Sequence, residues 1–530
     1  MRRPLGNARA KFVVLPLIAS GLIATACNAL LDFDAFEIKQ GGADAAPEAD
    51  TGTTSDEASV DAGCIDPTGF GGRGCYRCTP TTTEEFLNAC TASSFEPFDN
   101  GKRIVGFDPA TPKPEVVDGG ASPGNYVPPV TDGGPTDPPP GDCGTPPSNS
   151  IMVFGATGFP MNTIAQAMGS TATIFFLEAS SCVGVKNMID NSVKVTGTVV
   201  KYDPSSGAGT KCTLDKEHPA DINLSALFPE TCANQAGLGE NIQVPAGVED
   251  FLGPVNPVMF AAPATSPELV ISAEAAYKVY GFLSASAGTT SGVEPWIDEN
   301  YVFRRTGTSG VQQTIARTLG LSPDGLRGRN SGSSSNMKGA LQNSDAPGKT
   351  LGISSSEIVD VNRNVMKSLA YQHYGQTVGF YPDSAPGAFD RRNVRDGHYF
   401  LWIPLHVLVK TNAGDPVAAP NTELDPVGSN KAARDAAVKQ LVLVMVNRVE
   451  PPVKSVNLFT AIKAVGNVPQ CAMRVQRTRE GSPLTAFNPS AKCACAFEAT
   501  SPGSPPPECR TCTDANPCTD GKTCSFGYCE

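Results

Sequence analysis

The chain has 530 residues, a formal net charge of −12 and 17 cysteines. An acidic balance of this size argues against a nucleic-acid partner, because phosphate backbones need clustered Lys and Arg, although an anion can still be bound locally. The cysteines point to an oxidising compartment.

Arg2, Arg3, Arg9 and Lys11 precede an almost uncharged apolar run from Phe12 to Ala26, which ends in Ala24-Thr25-Ala26-Cys27. A basic start, an apolar run shorter than the about 20 residues of a membrane span, and small residues before the cysteine read as a secretory signal over 1–26. The junction resembles a bacterial lipobox, although Ala24 stands where Leu or Val is usual. The resemblance implies lipidation of Cys27 and membrane attachment by that lipid alone. With Asn28 next, it implies the outer membrane rather than the inner.

Residues 41–62 are acidic, small and poor in aromatics, a composition that does not offset its ordering entropy, so 27–62 is read as a lipidated flexible tether. A Cys-rich module follows at 63–105, then a Pro/Gly-rich linker at 106–148, a globular part at about 150–480, and a Pro-rich stretch with a second Cys-rich module at 490–530. Setting Cys27 aside leaves 16 cysteines, an even number that suits disulfides. Cys75-x-x-Cys78 and Cys509-x-x-Cys512 also have zinc-like spacing. However, His218, His373, His398 and His406 lie far away in sequence, so disulfides and no metal are expected.

In the globular part, Ile151–Phe154 and Thr173–Leu177 read as buried strands flanking a helix near Asn162–Met168, an order that predicts a parallel sheet. Pro257–Ala262 reads as a strand. Ser266-Pro267-Glu268 reads as the start of a helix, with a break before Ser272, whose face carries Ala276, Val279, Tyr280 and Leu283. Further strands are predicted at Leu351–Ile353, Tyr399–Ile403 and Leu441–Val446.

Two segments have the makings of an anion site. Arg304-Arg305-Thr306-Gly307-Thr308-Ser309-Gly310 follows a short strand, Tyr301–Phe303, and precedes a helix with Val311, Ile315 and Leu319 on one face. A helix starting at Thr308 or Ser309 aims free N–H groups and two hydroxyls at one point beside guanidinium, which suits a tetrahedral oxyanion. Ser180-Ser181-Cys182-Val183-Gly184 opens another helix in the same way. Each also reads as an ordinary helix cap.

The segments Phe154-Gly155-Ala156-Thr157-Gly158-Phe159-Pro160, Ser180–Gly184, Asp221-Ile222-Asn223-Leu224-Ser225 and Arg304–Gly310 occur in the order found in phosphate-binding proteins of ABC transporters. Over about 150–410 the chain resembles that family. Ile271–Ala276, Pro295–Asp298 and Asn393–Tyr399 resemble segments of its divergent lipoprotein members. The resemblance implies an α/β, two-lobed type II periplasmic binding protein fold with small disulfide-rich modules at both ends. Lobe one would comprise 150–255 and 390–480, and lobe two 256–389. It also implies ligand contacts from Gly158, Phe159, Ser180, Ser181, Ser225, Arg304, Arg305, Thr308, Ser309 and Gly310.

Two departures stand out. The family's Asp after the Ser is Ala226 here, and an acidic residue of the Arg loop is Thr306. A carboxylate in such a cleft selects a protonated oxyanion, and Asp221 has the wrong spacing to replace it. No Gly-x-Ser-x-Gly or His-Glu-x-x-His motif is present, and Gly348-Lys349-Thr350 lacks the first Gly of a P-loop. His398 and His406 beside Trp402 read as structural, so the expectation is a binding protein rather than an enzyme, without cofactor. Its expected partners are a small phosphate-like anion and an ABC permease. The alternative expectation is an envelope or surface interaction protein that keeps the fold without a transport function.

Overall fold

Ile151, Met152, Val153 and Phe154 have no polar side chain, so a strand made of them is stable only when covered on both faces. In the computed structural model, which describes residues 63–116, 124–128, 139–283, 291–426, 431–501, 506–513, 516–519 and 521–530, they form β1 (Ser150–Gly155) in the middle of the largest sheet. The expected signal, Cys27 and the tether lie outside the described residues, as do parts of the linker.

In chain order the elements that build the sheet and its cover are α1 (Met161–Met168), β2 (Thr173–Glu178), α2 (Ser181–Asp190), β3 (Lys194–Tyr202), β4 (Gly209–Pro219), β5 (Ile222–Ser225) and β6 (Val248–Pro263). They are followed by α3 (Ala273–Phe282), α4 (Gly310–Leu319), β7 (Gly352–Ser355), β8 (Trp402–Asn412), α5 (Lys431–Met445) and α6 (Leu458–Ala464). The sheet runs β7-β6-β8-β5-β1-β2-β3-β4, and Gly141–Asp142 pairs with the outer edge of β4. β1 is parallel to both β2 and β5, as the strand-helix-strand order predicts. The pairs β5/β8, β8/β6 and β6/β7 are antiparallel.

The two-residue period of β1 divides its side chains between two cores. Ile151 and Val153 join α1 and α5, while Met152 and Phe154 join Phe175, Val195 and Val199 on the other face. β6 and β8 leave this region for the largest core. Phe251 and Leu405 sit in the α1/α5 core, whereas Val258–Ala262 and Trp402–Ile403 pack with α3, α4 and β7. β6 changes partner along its length, pairing with β8 up to Pro257 and with β7 from Val258, with a register shift between Leu252 and Val255.

Several expectations are corrected. Leu441–Val446 lies mainly in α5, not in a strand, because a short apolar run is equally the buried face of a helix. Tyr399–Leu401 precedes its strand, which begins at Trp402. The helix read at Ser266 begins instead at Ala273. Val270–Ser272 pairs in parallel with Ala370–Gln372, and Ser272 Oγ then accepts from Ala275 N (3.0 Å) as the cap. Ala276, Val279, Tyr280 and Leu283 are all buried, as the spacing predicts.

The described flanking segments belong to the same compact unit as the sheet. Phe95–Glu96 adds an antiparallel strand to Gly379–Phe380, and Phe86 and Leu87 enter the largest core. Within the linker, Pro114 O accepts from Tyr277 Oη (2.6 Å), Asn330 O accepts from Tyr126 N (2.9 Å), and Cys143 is bridged to Cys212. Composition alone predicts an extended Pro/Gly-rich linker; these contacts offset part of the ordering entropy of the segments that make them. Val394, Tyr399–Ile403, Phe459, Ile462, Val468 and Cys471–Met473 pack in the core with α3 and α4.

Eight disulfides join Cys64–Cys78, Cys75–Cys90, Cys143–Cys212, Cys182–Cys232, Cys471–Cys493, Cys495–Cys509, Cys512–Cys524 and Cys518–Cys529. Both Cys-x-x-Cys pairs send their two sulfurs to different partners.

Candidate functional site

Two ten-residue helices begin at the same place. α2 is capped by Ser180, whose backbone is extended and whose hydroxyl makes no cap hydrogen bond. α4 is capped by Ser309 in the same state. Their first-turn N–H groups have no partner within the helix. A Cβ placed on Gly310 would lie 3.6 Å from Ser181 Oγ and 3.3 Å from Ala226 O, so the two N-termini and the turn after β5 are in contact. Aligned peptide dipoles make such a meeting favourable to negative charge.

Local sequence explains the position of α2. Gly184 lies directly over Leu224 O of β5, where a Cβ would collide with the carbonyl. The disulfide Cys182–Cys232 ties its first turn to the Pro229–Cys232 turn, with both cysteines fully buried.

The structure brings together Ser180, Ser181, the Ser225–Ala226 turn, Ser309 and Gly310, with Thr308 exposed beside them. Some of the expected contacts are already used inside the protein. Ser181 Oγ accepts from Ala226 N (3.1 Å), and Ser225 Oγ donates to Leu227 O (2.8 Å) and accepts from Leu227 N (3.0 Å). Gly158 and Phe159 have other neighbours. Gly158 O accepts from Asn467 Nδ2 (2.8 Å), and the Phe159 ring lies against Gly253 in the α1/α5 core.

The two arginines are partly buried, and burial holds both guanidinium groups below their ordinary range. Arg304 donates from Nε to Gly328 O (3.2 Å) and from Nη1 to Arg305 O (3.1 Å). Arg305 donates from Nε to Gly332 O (3.1 Å) and from Nη1 to Ser334 Oγ (2.7 Å), which leaves further donors of its five N–H groups.

Sequence reasoning missed two carboxylates. Glu357 acts electrostatically on Arg305 and accepts from Asn256 Nδ2 (2.7 Å). Glu480 lies against the turn that follows Ala226, where it accepts from Phe228 N (2.8 Å) and pairs closely with the Thr231 hydroxyl. Both are far in sequence from the loops they serve, and no local pattern marks them. Asp221, the carboxylate weighed for the missing acidic ligand, sits just before β5, at the end of that strand remote from Ser225, and is committed to Arg434.

Burial pushes the Glu480 carboxyl up, with the Thr231 and Phe228 bonds pulling the other way. A carboxyl whose folded pKa is raised contributes stability below the unfolded value, and that contribution is lost as pH rises through the folded pKa. Glu480→Gln keeps an acceptor for Phe228 N and offers a donor to Thr231. We expect the variant to unfold at the same temperature as the parent or higher at pH 7.5, with its advantage shrinking toward pH 4; a variant less stable at pH 7.5 than at pH 4, relative to the parent, contradicts this.

His398 and His406 do not form one site. His398 Nε2 bonds Ala89 O (2.8 Å), and burial lowers its pKa, while His406 Nδ1 bonds Asp250 Oδ2 (2.8 Å) and packs edge-on to Phe228.

No protein-family model matches the chain, and no curated protein matches it. Among solved structures it is similar to an ABC-type phosphate transport receptor from Vibrio cholerae, with 13% identity, a TM-score of 0.30, and 50% of this chain and 88% of that chain covered. It is similar to a possible phosphate binding protein from Planctomyces limnophilus, with 13% identity, a TM-score of 0.30, and coverage of 56% and 99%. It is also similar to the Corynebacterium glutamicum OxyR C206 mutant, with 8% identity, a TM-score of 0.30, and coverage of 61% and 68%. The fold itself is that of a disulfide-linked mixed α/β protein. Its candidate site is the meeting of two helix N-termini on a strand end.

Proposed function

We propose that this chain is an extracytoplasmic, lipid-anchored binding protein that holds a small phosphate-like anion between two α/β lobes, without catalysis. The observation that carries this is the contact of the α2 and α4 N-termini at the Ser225–Ala226 turn. The uncapped hydroxyls of Ser180 and Ser309 add to it, as do the remaining donors of Arg305. In this reading β6 and β8, which join the two largest cores, are the strands about which the lobes close. Glu357, which acts electrostatically on Arg305, is a carboxylate of the kind that Ala226 and Thr306 lack, and a carboxylate at such a site favours a protonated oxyanion. Delivery of the anion to an ABC permease completes the proposal.

A second reading, an envelope interaction protein that retains the fold, is favoured by one observation. Ser181 and Ser225 already spend hydrogen bonds on Ala226 and Leu227.

The test is thermal unfolding of the full chain, disulfides intact, with phosphate, sulfate, phosphonate and neutral controls. An anion at a hundred times its dissociation constant adds about 2.7 kcal/mol. In Arg305→Ala, loss of a charge-assisted bond worth about 1.5–3 kcal/mol weakens affinity by roughly 10- to 150-fold. Absence of any anion-dependent shift, or parental affinity in that variant, moves the weight to the second reading.

A further inference from the structure

A cavity of about 370 Å³ lies away from the anion site, between the loop after α5, the first turn of α6 and the C-terminal disulfide segment. None of the residues expected to bind the anion lines it. Its size falls in the range of small-molecule sites.

The chemistry of its wall narrows what fits. Phe459 and Phe526 meet edge to face with ring centroids 5.0 Å apart, and Tyr528 also lines the cavity, so aromatic carbon forms part of its wall. Asn447, also in the wall, is 2% exposed, yet its Oδ1 has no partner among the described residues. Its Nδ2 reaches Val444 O only at 3.5 Å. A buried amide needs a partner, and a hydroxyl serves in either amide orientation because it both donates and accepts. The charged wall residues Glu450 and Lys454 pair with each other at 3.4 Å, so the cavity offers no net charge to an ion.

We propose that this cavity binds a neutral polyhydroxylated ring, a saccharide unit, with one ring face on Phe526 and Tyr528 and a hydroxyl on the Asn447 amide. The C-terminal Cys-rich segment then has a definite task. The bridges Cys512–Cys524 and Cys518–Cys529 hold the Ser525–Tyr528 turn that presents both rings.

The test is calorimetric titration of the full chain, disulfides intact, with N-acetylglucosamine, its β-1,4-linked dimer, maltose and myo-inositol. Asn447 has φ +56°, so Asn447→Gly removes the amide while suiting the backbone. Ala499→Trp narrows the cavity from a wall residue that carries none of the proposed contacts. Saturable binding by at least one probe is expected, weakened tenfold or more in Asn447→Gly and lost in Ala499→Trp. Arg305→Ala, which disables the anion site, is expected to leave it unchanged. No binding by any of the four probes, or parental affinity in either cavity variant, overturns the proposal.

Discussion

Replacing Cys182 and Cys232 together by alanine is expected to lower the unfolding free energy by about 4 kcal/mol and to abolish anion binding. The bridge closes a 50-residue separation, and chain entropy makes a cross-link over such a loop costly to lose. It also holds together the parts that define the site. Cys182 is in the first turn of α2, and Cys232 ends the turn whose Thr231 hydroxyl is bound by Glu480. Without it, the Ser181–Ala226 contact rests on one hydrogen bond. Removal of Cys143–Cys212, with a separation of 69, supplies the contrast. Its entropic cost is similar, but it pins the Gly141–Asp142 edge strand and not the site. Denaturant unfolding checks the stability term, and the anion-dependent shift checks the second. If both double variants lose anion binding equally, the effect is global and the bridge has no special part in the site.

How much of this was legible in sequence depended on how local the signal was. β1, α1 and β2 lie within a residue or two of where apolar periodicity places them, and α2 and α4 start within two residues of the Ser caps read for them, because these signals are local. α5 was misread at its C-terminal half, where Leu441–Val446 is apolar on every side; only the packing of Leu441, Val442 and Val444 against β1 decides between helix and strand there. The site followed the same rule. The Ser and Gly residues at the two helix starts were visible, whereas Glu357 and Glu480 act across long separations. The inward turn of the Ser225 hydroxyl depends on Leu227, and no motif encodes it.

The largest electrostatic effect is expected at Arg434. Arg434→Leu should cost about 3–5 kcal/mol at pH 7.5, the loss typical of a buried ion pair deprived of one partner. Arg434 and Asp221 are each 1% exposed, with Nη2 2.6 Å from Oδ1, and Arg434 also pairs closely with Asp425. Asp221 further accepts from Met152 N (2.8 Å) and Ala419 N (2.9 Å), so one carboxylate fastens β1, the segment before α5 and the start of β5. Burial pushes its pKa up to about 6, against the pull of Arg434.

The sign of the pH dependence follows from that direction. A folded pKa above the unfolded value near 3.9 means that stability from this group is present at low pH and is lost as pH rises through the folded pKa. Without Arg434 the carboxyl rises further, so the deficit of Arg434→Leu should be largest at pH 7.5 and shrink toward pH 4. Adding Asp221→Asn removes the stranded charge, and the double variant should recover at least half of the loss. A double variant as unstable as Arg434→Leu, or a deficit independent of pH, would place the cost in packing instead. Because β5 carries Ser225 into the Ala226 turn, the same pair fixes the strand on which both helix N-termini converge. Anion affinity should therefore fall with stability in Arg434→Leu and return with it in the double variant.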